Sequence, residues 1–360
     1  MRSGISIVVP TYKEAGNVPV LISRLDAVRR AHDLEMELIL ADDDSRDGTD
    51  LAVAQAAAPW VRLIVRTTDR GLSPAVLHGL REARYDCFVV MDADLSHPPE
   101  KIPEMLAALD AGADFVIGSR YVPGGSTDAA WGLFRWLNSK VATWLARPFT
   151  SAHDPMAGFF ALRRSTFEKG VDFNPIGYKI GLELLVKCRC RTVVEVPIDF
   201  ADRKIGESKL NLAEQLKYLQ HLRRLFIFKY PTLSNLLQFG IVGAIGTVVN
   251  LVVLTALTRL GVSDAVAIGV AIVVSFLGNF ALNRRFTFGY ARHAPLLRHF
   301  VGFAGASALG LLTNYAVAVA FRSRIPNVSI QAAALAGIVA GMGLNYVMSR
   351  YFVFRHPVKA

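Results

Sequence analysis

The sequence predicts an α/β domain with a mostly parallel, Rossmann-like sheet, followed by an all-α transmembrane domain of four helices. In the first half of the 360-residue chain, short apolar runs alternate with segments of helical spacing. Such alternation is typical of a parallel sheet that is covered by helices on both faces. The second half holds four apolar stretches without Asp, Glu, Lys or Arg, and each is close to the ~20 residues that a helix needs to cross a bilayer.

The elements of the first half follow one another in a regular order. Apolar runs between turn residues predict strands at positions 5–9, 36–41, 61–65, 87–91 and 115–118. Helices are predicted at 18–30, 49–57 and 74–83 and after Pro98-Pro99. The carboxyl ends of parallel strands lie at one edge of a sheet, and ligands bind there. Three segments that follow strands should therefore meet at this edge: residues 10–14, 42–45 and 92–94.

Asp92 and Asp94 stand directly after the fourth predicted strand, in the sequence DADLSHPPE of residues 92–100. Two carboxylates this close disfavour each other's ionisation unless a cation lies between them. Oxygen ligands of this kind suit Mg²⁺ or Mn²⁺, and such an ion is usually shared with substrate phosphates. The acid pair therefore makes the first half a candidate enzyme that acts on nucleotide-linked substrates.

The composition fits a membrane protein that handles phosphates. The mean hydropathy is +0.34, and 52% of the residues are apolar. The net charge of +10 favours anionic lipid headgroups and phosphate substrates as partners. Nucleic acid is not expected, because no basic stretch is interleaved with aromatic residues that could stack on bases. The three cysteines, Cys87, Cys188 and Cys190, lack zinc-ligand spacing and predict reduced thiols.

Basic residues at the ends of the predicted spans indicate the orientation of the chain in the membrane. The spans are predicted at 236–257, 265–283, 299–321 and 328–349. The second link and the C-terminal tail are rich in basic residues: Arg284, Arg285, Arg292, Arg298, Arg350, Arg355 and Lys359. Because positive residues favour the cytoplasmic side, the first domain and both termini are expected in the cytoplasm. The apolar run at 5–9 is too short for a secretory signal peptide, and none is expected.

Two amphipathic segments are candidates for contact with the membrane surface. Residues 130–149 place Trp and other apolar side chains at helical spacing, which suits either a helix in the membrane interface or a helix that covers the sheet. Residues 212–233 precede the first span, carry several Lys and Arg, and are predicted to lie along the headgroups. The predicted domains are therefore 1–211, 212–233 and 234–360.

The membrane half repeats itself. Asn279-Phe280 followed by residues 283–288 (NRRFTF) resembles Asn345-Tyr346 followed by residues 349–354 (SRYFVF). Asn250 and Asn314 occupy similar places in the preceding spans. Two copies of a helix pair, each ending in an aromatic and arginine-containing segment, are the simplest explanation.

Five motifs in order give the chain a family resemblance. They are IVVPTYKEAGNV at 7–18, ILADDDSRDGT at 39–49, DADLSHPPE at 92–100, GSRY at 118–121, and Arg203 with GESK at 206–209. Together they cover roughly residues 5–212 and resemble the family 2 nucleotide-sugar glycosyltransferases of the GT-A fold. Within that group the chain is most similar to the polyprenyl-phosphate hexosyltransferases, and among these to the dolichol-phosphate mannose synthases.

The resemblance implies a role for each matching residue. The nucleotide-sugar pocket would be lined by Pro10, Tyr12, Glu14, Asp42, Asp92, Ala93, Asp94, Ser96, Arg203 and Lys209. Asp42 would accept a hydrogen bond from the base, and Asp92, Asp94 and Ser96 would hold Mg²⁺ or Mn²⁺. The phosphate of the acceptor lipid would contact Arg120, Arg135 and Ser139. The residues implied in catalysis are Asp92, Asp94, Arg120, Arg203 and Lys209.

The chemistry of the implied reaction explains why metal-binding acids and arginines suffice. As the sugar leaves, negative charge builds on the nucleotide diphosphate, and a metal ion with guanidinium groups stabilises that charge. A phosphate monoester has its second pKa near ~6, so the acceptor is already largely dianionic at neutral pH. No strong general base is then required, and direct displacement would invert the anomeric carbon.

The predicted function is transfer of a single mannose from GDP-mannose to a polyprenyl phosphate, dolichyl or undecaprenyl, at the cytoplasmic membrane face. His97 favours the mannosyl members of the family by resemblance. UDP-glucose is the alternative donor. Two alternatives come from other classes: a flippase for lipid-linked sugars whose first domain only recognises the cargo, and a non-catalytic scaffold.

Overall fold

The computed structural model describes residues 4–127, 133–200, 212–291, 294–328 and 330–355. Some side chains within these ranges are outside the description, at 133–136, 212–213, 264–265, 330–331 and 334. The chain forms two compact units, Met1–Lys229 and Tyr230–Ala360. The boundary between the two units falls inside the segment 212–233, for which the sequence predicts an interfacial helix. The predicted domain limits remain predictions.

The first unit is built on a seven-stranded sheet. The strands along the chain are β1 Ile5–Thr11, β2 Met36–Asp42, β3 Val61–Val65, β4 Cys87–Val90, β5 Phe115–Ser119, β6 Ser126–Thr127, β7 Phe160–Arg163, β8 Val193–Pro197 and β9 Asp199–Phe200. The order in the sheet is β3-β2-β1-β4-β7-β5-β8, and β6 pairs separately with β9. Among the described strands of the large sheet, only β7 is antiparallel to its neighbours. The predicted mostly parallel sheet is therefore confirmed.

Helices cover both faces of this sheet. They are α1 Val18–Ala31, α2 Thr49–Ala56, α3 Leu72–Glu82, α4 Ile102–Asp110, α5 Leu133–Ala146, α6 Arg164–Phe167, α7 Ile180–Lys187 and α8 Leu212–Lys229. Successive side chains of a strand point to opposite faces, and β1 divides its residues accordingly. Ile7 and Val9 pack in a core with α1 and α4, whereas Val8 packs in a second core with α3 and α7.

The second unit consists of long helices. They are α9 Pro231–Arg259, α10 Asp264–Leu282, α11 Leu296–Arg324 and α12 Ile330–Met348. In the described part of the chain, three stretches are long and apolar enough to cross a membrane: Pro231–Arg259, Val266–Thr287 and Leu296–Arg324. The 19-residue α12 occupies the place of the fourth predicted span. Its crossing of the membrane stays a prediction.

The two helix pairs of this unit share local details. A π-helical segment follows α10 at Asn283–Thr287 and follows α12 at Ser349–Val353. Asn279 of α10 lies against Gly246 of α9, so that a side chain at Gly246 would clash with its amide. A Cβ at Gly310 of α11 would lie 2.9 Å from the Gly341 carbonyl oxygen and 3.0 Å from Asn345 Cβ, both of α12. Small residues let helices approach closely in a membrane, and here each glycine makes room for an asparagine.

Candidate active site

The carboxyl ends of β1, β2 and β4 meet at one edge of the sheet. The Asp43 N–H donates to the Thr11 carbonyl over 3.0 Å and joins the ends of β1 and β2. The Met91 N–H donates to the Val8 carbonyl over 3.2 Å and joins β4 to β1. The parallel register therefore brings the loops after these three strands to the same edge.

Asp42 fixes the loop after β2 from within. Only 4% of its surface is exposed. Its Oδ2 accepts the Ser45 N–H over 2.8 Å, and its Oδ1 accepts a short hydrogen bond from the Ser45 hydroxyl. Ser45 Oγ in turn accepts the Lys13 N–H over 2.8 Å. Asp42 thus ties the loop after β2 to the loop after β1, and its bond to a base stays a prediction.

The rest of the loop after β2 is held by ion pairs. The Asp43 carboxylate pairs with the buried Arg66 guanidinium at 2.5 Å. Asp44 pairs with Arg46 at 2.8 Å and with Arg70 at 2.5 Å. The hydrogen bond from Arg46, aided by the charges of both arginines, lowers the pKa of Asp44. These acids are therefore occupied in shaping the loop.

The loop after β1 presents an aromatic side chain to solvent. Tyr12 is 49% exposed, and the Lys13 ammonium lies 5.4 Å from its ring centroid. Pro10 is half-buried at the end of β1. Glu14 Oε2 accepts the Asn17 amide N–H over 2.6 Å. The three predicted nucleotide-pocket residues of this loop therefore lie at the same edge as Asp42.

Asp92 and Asp94 follow β4 at the centre of this edge. Asp94 is 7% exposed, and its Oδ1 accepts the Ser96 N–H over 3.1 Å and the Ser96 hydroxyl over 2.5 Å. The Asp92 side chain keeps 27% of its surface exposed. A Cβ at Gly158 would lie 3.0 Å from Asp92 Oδ2, so glycine leaves the space that this carboxylate occupies. The pair is thus fixed on one side and open on the other.

A divalent ion fits these residues. Among the described residues, no three side chains of His, Cys, Asp or Glu converge as a metal cage. Mg²⁺ sites that serve phosphate substrates are usually made of one or two carboxylates, with the remaining positions filled by phosphate oxygens and water. Asp92 and Asp94 supply two such carboxylates. Ala93 between them is buried, and Ser96 orients Asp94.

Arg120 lies at the end of β5 and is held rigidly by Asp154. Its Nε and Nη2 donate to the two carboxylate oxygens of Asp154 over 2.7 and 2.8 Å. Asp154 is fully buried, and its own N–H donates to Glu195 over 2.9 Å. The Arg120 guanidinium also lies 5.1 Å from the Phe200 ring centroid. Such a bidentate pair fixes the direction of the guanidinium.

Of the other predicted acceptor residues, the structure describes the side chain of Ser139. Ser139 Oγ and the Tyr121 hydroxyl are 2.8 Å apart, and Tyr121 directly follows Arg120. The two predicted acceptor contacts are thus linked through Tyr121. Arg135 lies in α5, and its side chain is outside the description. Arg203 and Lys209 lie outside the described residues altogether.

Lys179, which the sequence analysis missed, belongs to the same region. It stands immediately before α7, and its ammonium lies 4.4 Å from the Tyr178 ring centroid. Burial, followed by the charge of Arg120, lowers the pKa of Lys179 to about 8, while Asp154 and Asp92 act in the opposite direction. The charges that act on its amine are therefore those of Arg120, Asp154 and Asp92. The sequence around it, GYKIG, carries no distinctive signal.

Comparison with known proteins matches both halves of the chain. Residues 6–171 match the family described as glycosyl transferase family 2, and residues 238–354 match the GtrA/DPMS transmembrane domain. Dolichol-phosphate mannosyltransferase of Pyrococcus furiosus is 38% identical over 352 residues, 96% of this chain and 98% of that protein. The enzyme of Mycosarcoma maydis is 44% identical, covering 63% of this chain and 80% of that protein. The enzyme of Saccharomyces cerevisiae is 42% identical, covering 65% and 91%.

These matches confirm the resemblance seen in the five motifs. They also confirm that the first unit is a GT-A glycosyltransferase domain and that the second is a membrane domain. The similarity to the Pyrococcus furiosus protein extends through both units without a large unmatched part on either side. The chain therefore belongs to the family 2 glycosyltransferases, in the dolichol-phosphate mannosyltransferase family that carries a GtrA/DPMS transmembrane domain.

Proposed function

We propose that this protein transfers one mannose from GDP-mannose to a polyprenyl phosphate at the cytoplasmic membrane face, with inversion at the anomeric carbon. The names of its relatives support the mannosyl and polyprenyl parts of the proposal. One observation carries it: the acid pair Asp92 and Asp94 lies at the carboxyl edge of the sheet, in the electrostatic field of a fixed Arg120. This edge can bind a diphosphate and a second phosphate together.

On the donor side, the chain binds and orients the diphosphate. Asp92 and Asp94 would hold Mg²⁺ or Mn²⁺, and Ser96 keeps Asp94 in place. When bound, the ion neutralises the charge that builds on the diphosphate as the sugar leaves. The Lys179 ammonium adds a second positive charge near the acids. Arg203 and Lys209 stay proposed phosphate contacts.

On the acceptor side, Arg120 offers a guanidinium whose direction Asp154 has already set. Guanidinium groups bind phosphate oxygens through charge-assisted hydrogen bonds. Ser139 is joined to the neighbouring Tyr121 and adds a hydroxyl to the same place. Arg135 on α5 stays a further proposed contact. The lipid phosphate would therefore be oriented before it attacks.

Asp154 does not serve as a general base in this proposal. Its side chain is fully buried, and both carboxylate oxygens accept hydrogen bonds from Arg120. Removing a proton from the acceptor is also unnecessary, because a phosphate monoester is largely dianionic at neutral pH. Asp154 instead orients the guanidinium.

An exposed apolar ridge on α5 favours the interpretation that this helix lies in the membrane interface. Leu137, Val141 and Trp144 lie on one face and are 52%, 47% and 69% exposed. A soluble helix that only covers a sheet would bury such a face. We therefore propose that this ridge, together with exposed Leu216 and Leu219 of α8, enters the bilayer interface, where the lipid acceptor lies.

The donor assignment is tested with the full-length protein in lipid membranes. We expect label from GDP-mannose to appear in the organic extract when dolichyl or undecaprenyl phosphate and Mg²⁺ or Mn²⁺ are present. Label that comes mainly from UDP-glucose would replace mannose as the sugar. If neither donor labels the lipid with either metal, the transferase proposal is wrong, and the flippase and scaffold alternatives remain.

Asp94→Asn removes one of the two charges from the acid pair. We expect the rate of mannose transfer to fall at least about 100-fold, in the range seen when a transition-state charge loses one stabilising group. Asp110→Asn is the control, since Asp110 is an exposed acid paired with Arg163 at 2.7 Å. Equal rates for the two variants would contradict the acid-pair assignment.

Lys179 predicts a pH dependence of donor binding. Its pKa of about 8 means that the ammonium loses its proton as the pH rises through 8, so the KM for GDP-mannose should rise above that pH. Lys179→Arg keeps its charge and should move this change to higher pH, whereas Lys101→Arg, at an exposed ion pair, should not.

The contribution of Lys179 to folding stability depends on pH in the opposite direction. The unfolded state binds more protons between pH 8 and the ordinary value of 10.5, so this group makes the fold more stable as pH rises through that window.

Trp144→Glu tests the ridge on α5. Burying a large aromatic side chain contributes about 1.5–3 kcal/mol, so losing that contact should raise the KM for polyprenyl phosphate in nanodiscs about 10- to 100-fold. GDP binding should not change. Leu51→Glu is the control, because Leu51 is 63% exposed on α2 and is not part of the ridge. A KM that is unchanged in Trp144→Glu would refute interfacial docking.

A further inference from the structure

We propose that His97 is a positioning residue for the acid pair, and that it acts by holding the main chain of Asp92. The inference rests on the proposed function, because it assigns the acid pair to a metal–nucleotide complex. The Asp92 N–H donates to His97 Nδ1 over 3.1 Å. His97 therefore contacts the peptide group that carries the more exposed of the two carboxylates.

The end of β4 explains why Asp92 needs such a partner. The last described hydrogen bond between β4 and β1 runs from the Met91 N–H to the Val8 carbonyl. The next N–H, that of Asp92, lies beyond the sheet ladder, and a buried backbone donor without a partner is costly. Leu95 has a φ of +62°, and this left-handed turn brings His97 back beneath Asp92.

The imidazole is itself held in place. It is 2% exposed, stacks on Phe159 with ring centroids 5.4 Å apart, and meets the edge of Phe200 at 5.5 Å. Because Nδ1 accepts a hydrogen bond, the ring proton of this neutral imidazole is on Nε2. The packing on both sides leaves the ring little freedom to follow a displaced main chain.

Gly158 completes the support from the other side. A Cβ added there would lie 3.0 Å from Asp92 Oδ2 and 3.3 Å from His97 Cε1. Asp92 thus lies between the imidazole, which accepts its peptide N–H, and Gly158, whose lack of a side chain leaves space for its carboxylate. The Asp92 main chain is therefore positioned before any ion binds.

Two substitutions at His97, by asparagine and by glutamine, distinguish a positioning role from simple packing. Asparagine can place an oxygen near the position of Nδ1 and accept the Asp92 N–H, whereas the longer glutamine places its amide near Nε2. Both are polar and smaller than or similar to histidine. His97→Asn should therefore preserve the positioning contact, and His97→Gln should lose it.

The test measures Mn²⁺ binding to the full-length protein in detergent, with GDP present, from the electron paramagnetic resonance signal of unbound Mn²⁺. Loss of a residue that orients a metal ligand typically weakens metal affinity 10- to 100-fold. We expect about that loss in His97→Gln, and a change of less than about threefold in His97→Asn. Equal affinities in His97→Gln and wild type would overturn the proposal, as would equal losses in both variants.

His221 provides a matched control. It is 1% exposed, and its Nδ1 accepts a backbone N–H, from Ile176, over 3.0 Å. His221→Gln should lower the temperature of unfolding while leaving Mn²⁺ affinity unchanged. A loss of Mn²⁺ affinity in His221→Gln equal to that in His97→Gln would mean that general destabilisation is the cause, and the proposal would fail.

A measurement on the unmodified sequence covers the case in which His97→Gln does not fold. In protein labelled with ¹⁵N-histidine, the His97 ring should show a bare Nδ1 and a protonated Nε2, and a proton on Nδ1 would overturn the proposal. Failure of the transferase proposal would give a different result. Mn²⁺ would still bind in the presence of GDP, and more weakly in His97→Gln than in wild type, but no mannose would reach the lipid.

Discussion

Asp92 and Asp94 repel each other, and the loops around them are built to hold the two carboxylates together. Ser96 binds Asp94 through both its N–H and its hydroxyl. His97 and Gly158 confine Asp92. Two cationic groups, Arg120 and Lys179, interact electrostatically with Asp92. The edge of the sheet is therefore an arrangement of fixed charges, which is what stabilisation of a charged transition state requires.

The two cations contribute in different ways. Much of the charge of Arg120 is balanced by the buried Asp154, so its main contribution is the direction of its N–H groups. Asp154 is in turn held by Glu195. Among the described residues, none pairs with Lys179 as Asp154 pairs with Arg120, and the lowered pKa of Lys179 reflects burial near another cation. A bound diphosphate would offset the repulsion between Lys179 and Arg120. Lys179 is therefore suited to respond to the donor, and Arg120 to orient an acceptor.

Much of this could be predicted from sequence because the signals are local. The apolar runs at 5–9 and 36–41 match β1 and β2, and the acids after β4 were identifiable from their position behind a strand. By contrast, β7 is an antiparallel strand inserted between β4 and β5, and its residues look like any short buried run. Lys179 owes its lowered pKa to groups that only the folded chain brings near it. Asp154 is followed by Pro155, a pair that favours a turn, and its carbonyl accepts the Ala157 N–H over 3.2 Å. Nothing in the local sequence, however, indicates that Asp154 pairs with Arg120.

The two helix pairs of the helical unit resemble each other in sequence but differ in one set of contacts. Phe288 and Phe354 stack at corresponding places, 4.8 Å apart. The second pair then closes the unit through polar contacts: Arg350 binds the Tyr346 hydroxyl over 2.7 Å and Thr232 Oγ1 over 3.0 Å. The positions that correspond to Tyr346 and Thr232 are Phe280 of α10 and Leu296 of α11, which carry no hydroxyl. The contact that Arg350 makes between the end of α12 and the start of α9 therefore has no hydroxyl counterpart between α10 and α11, so hydroxyl groups close the unit at one of these places and apolar side chains occupy the other.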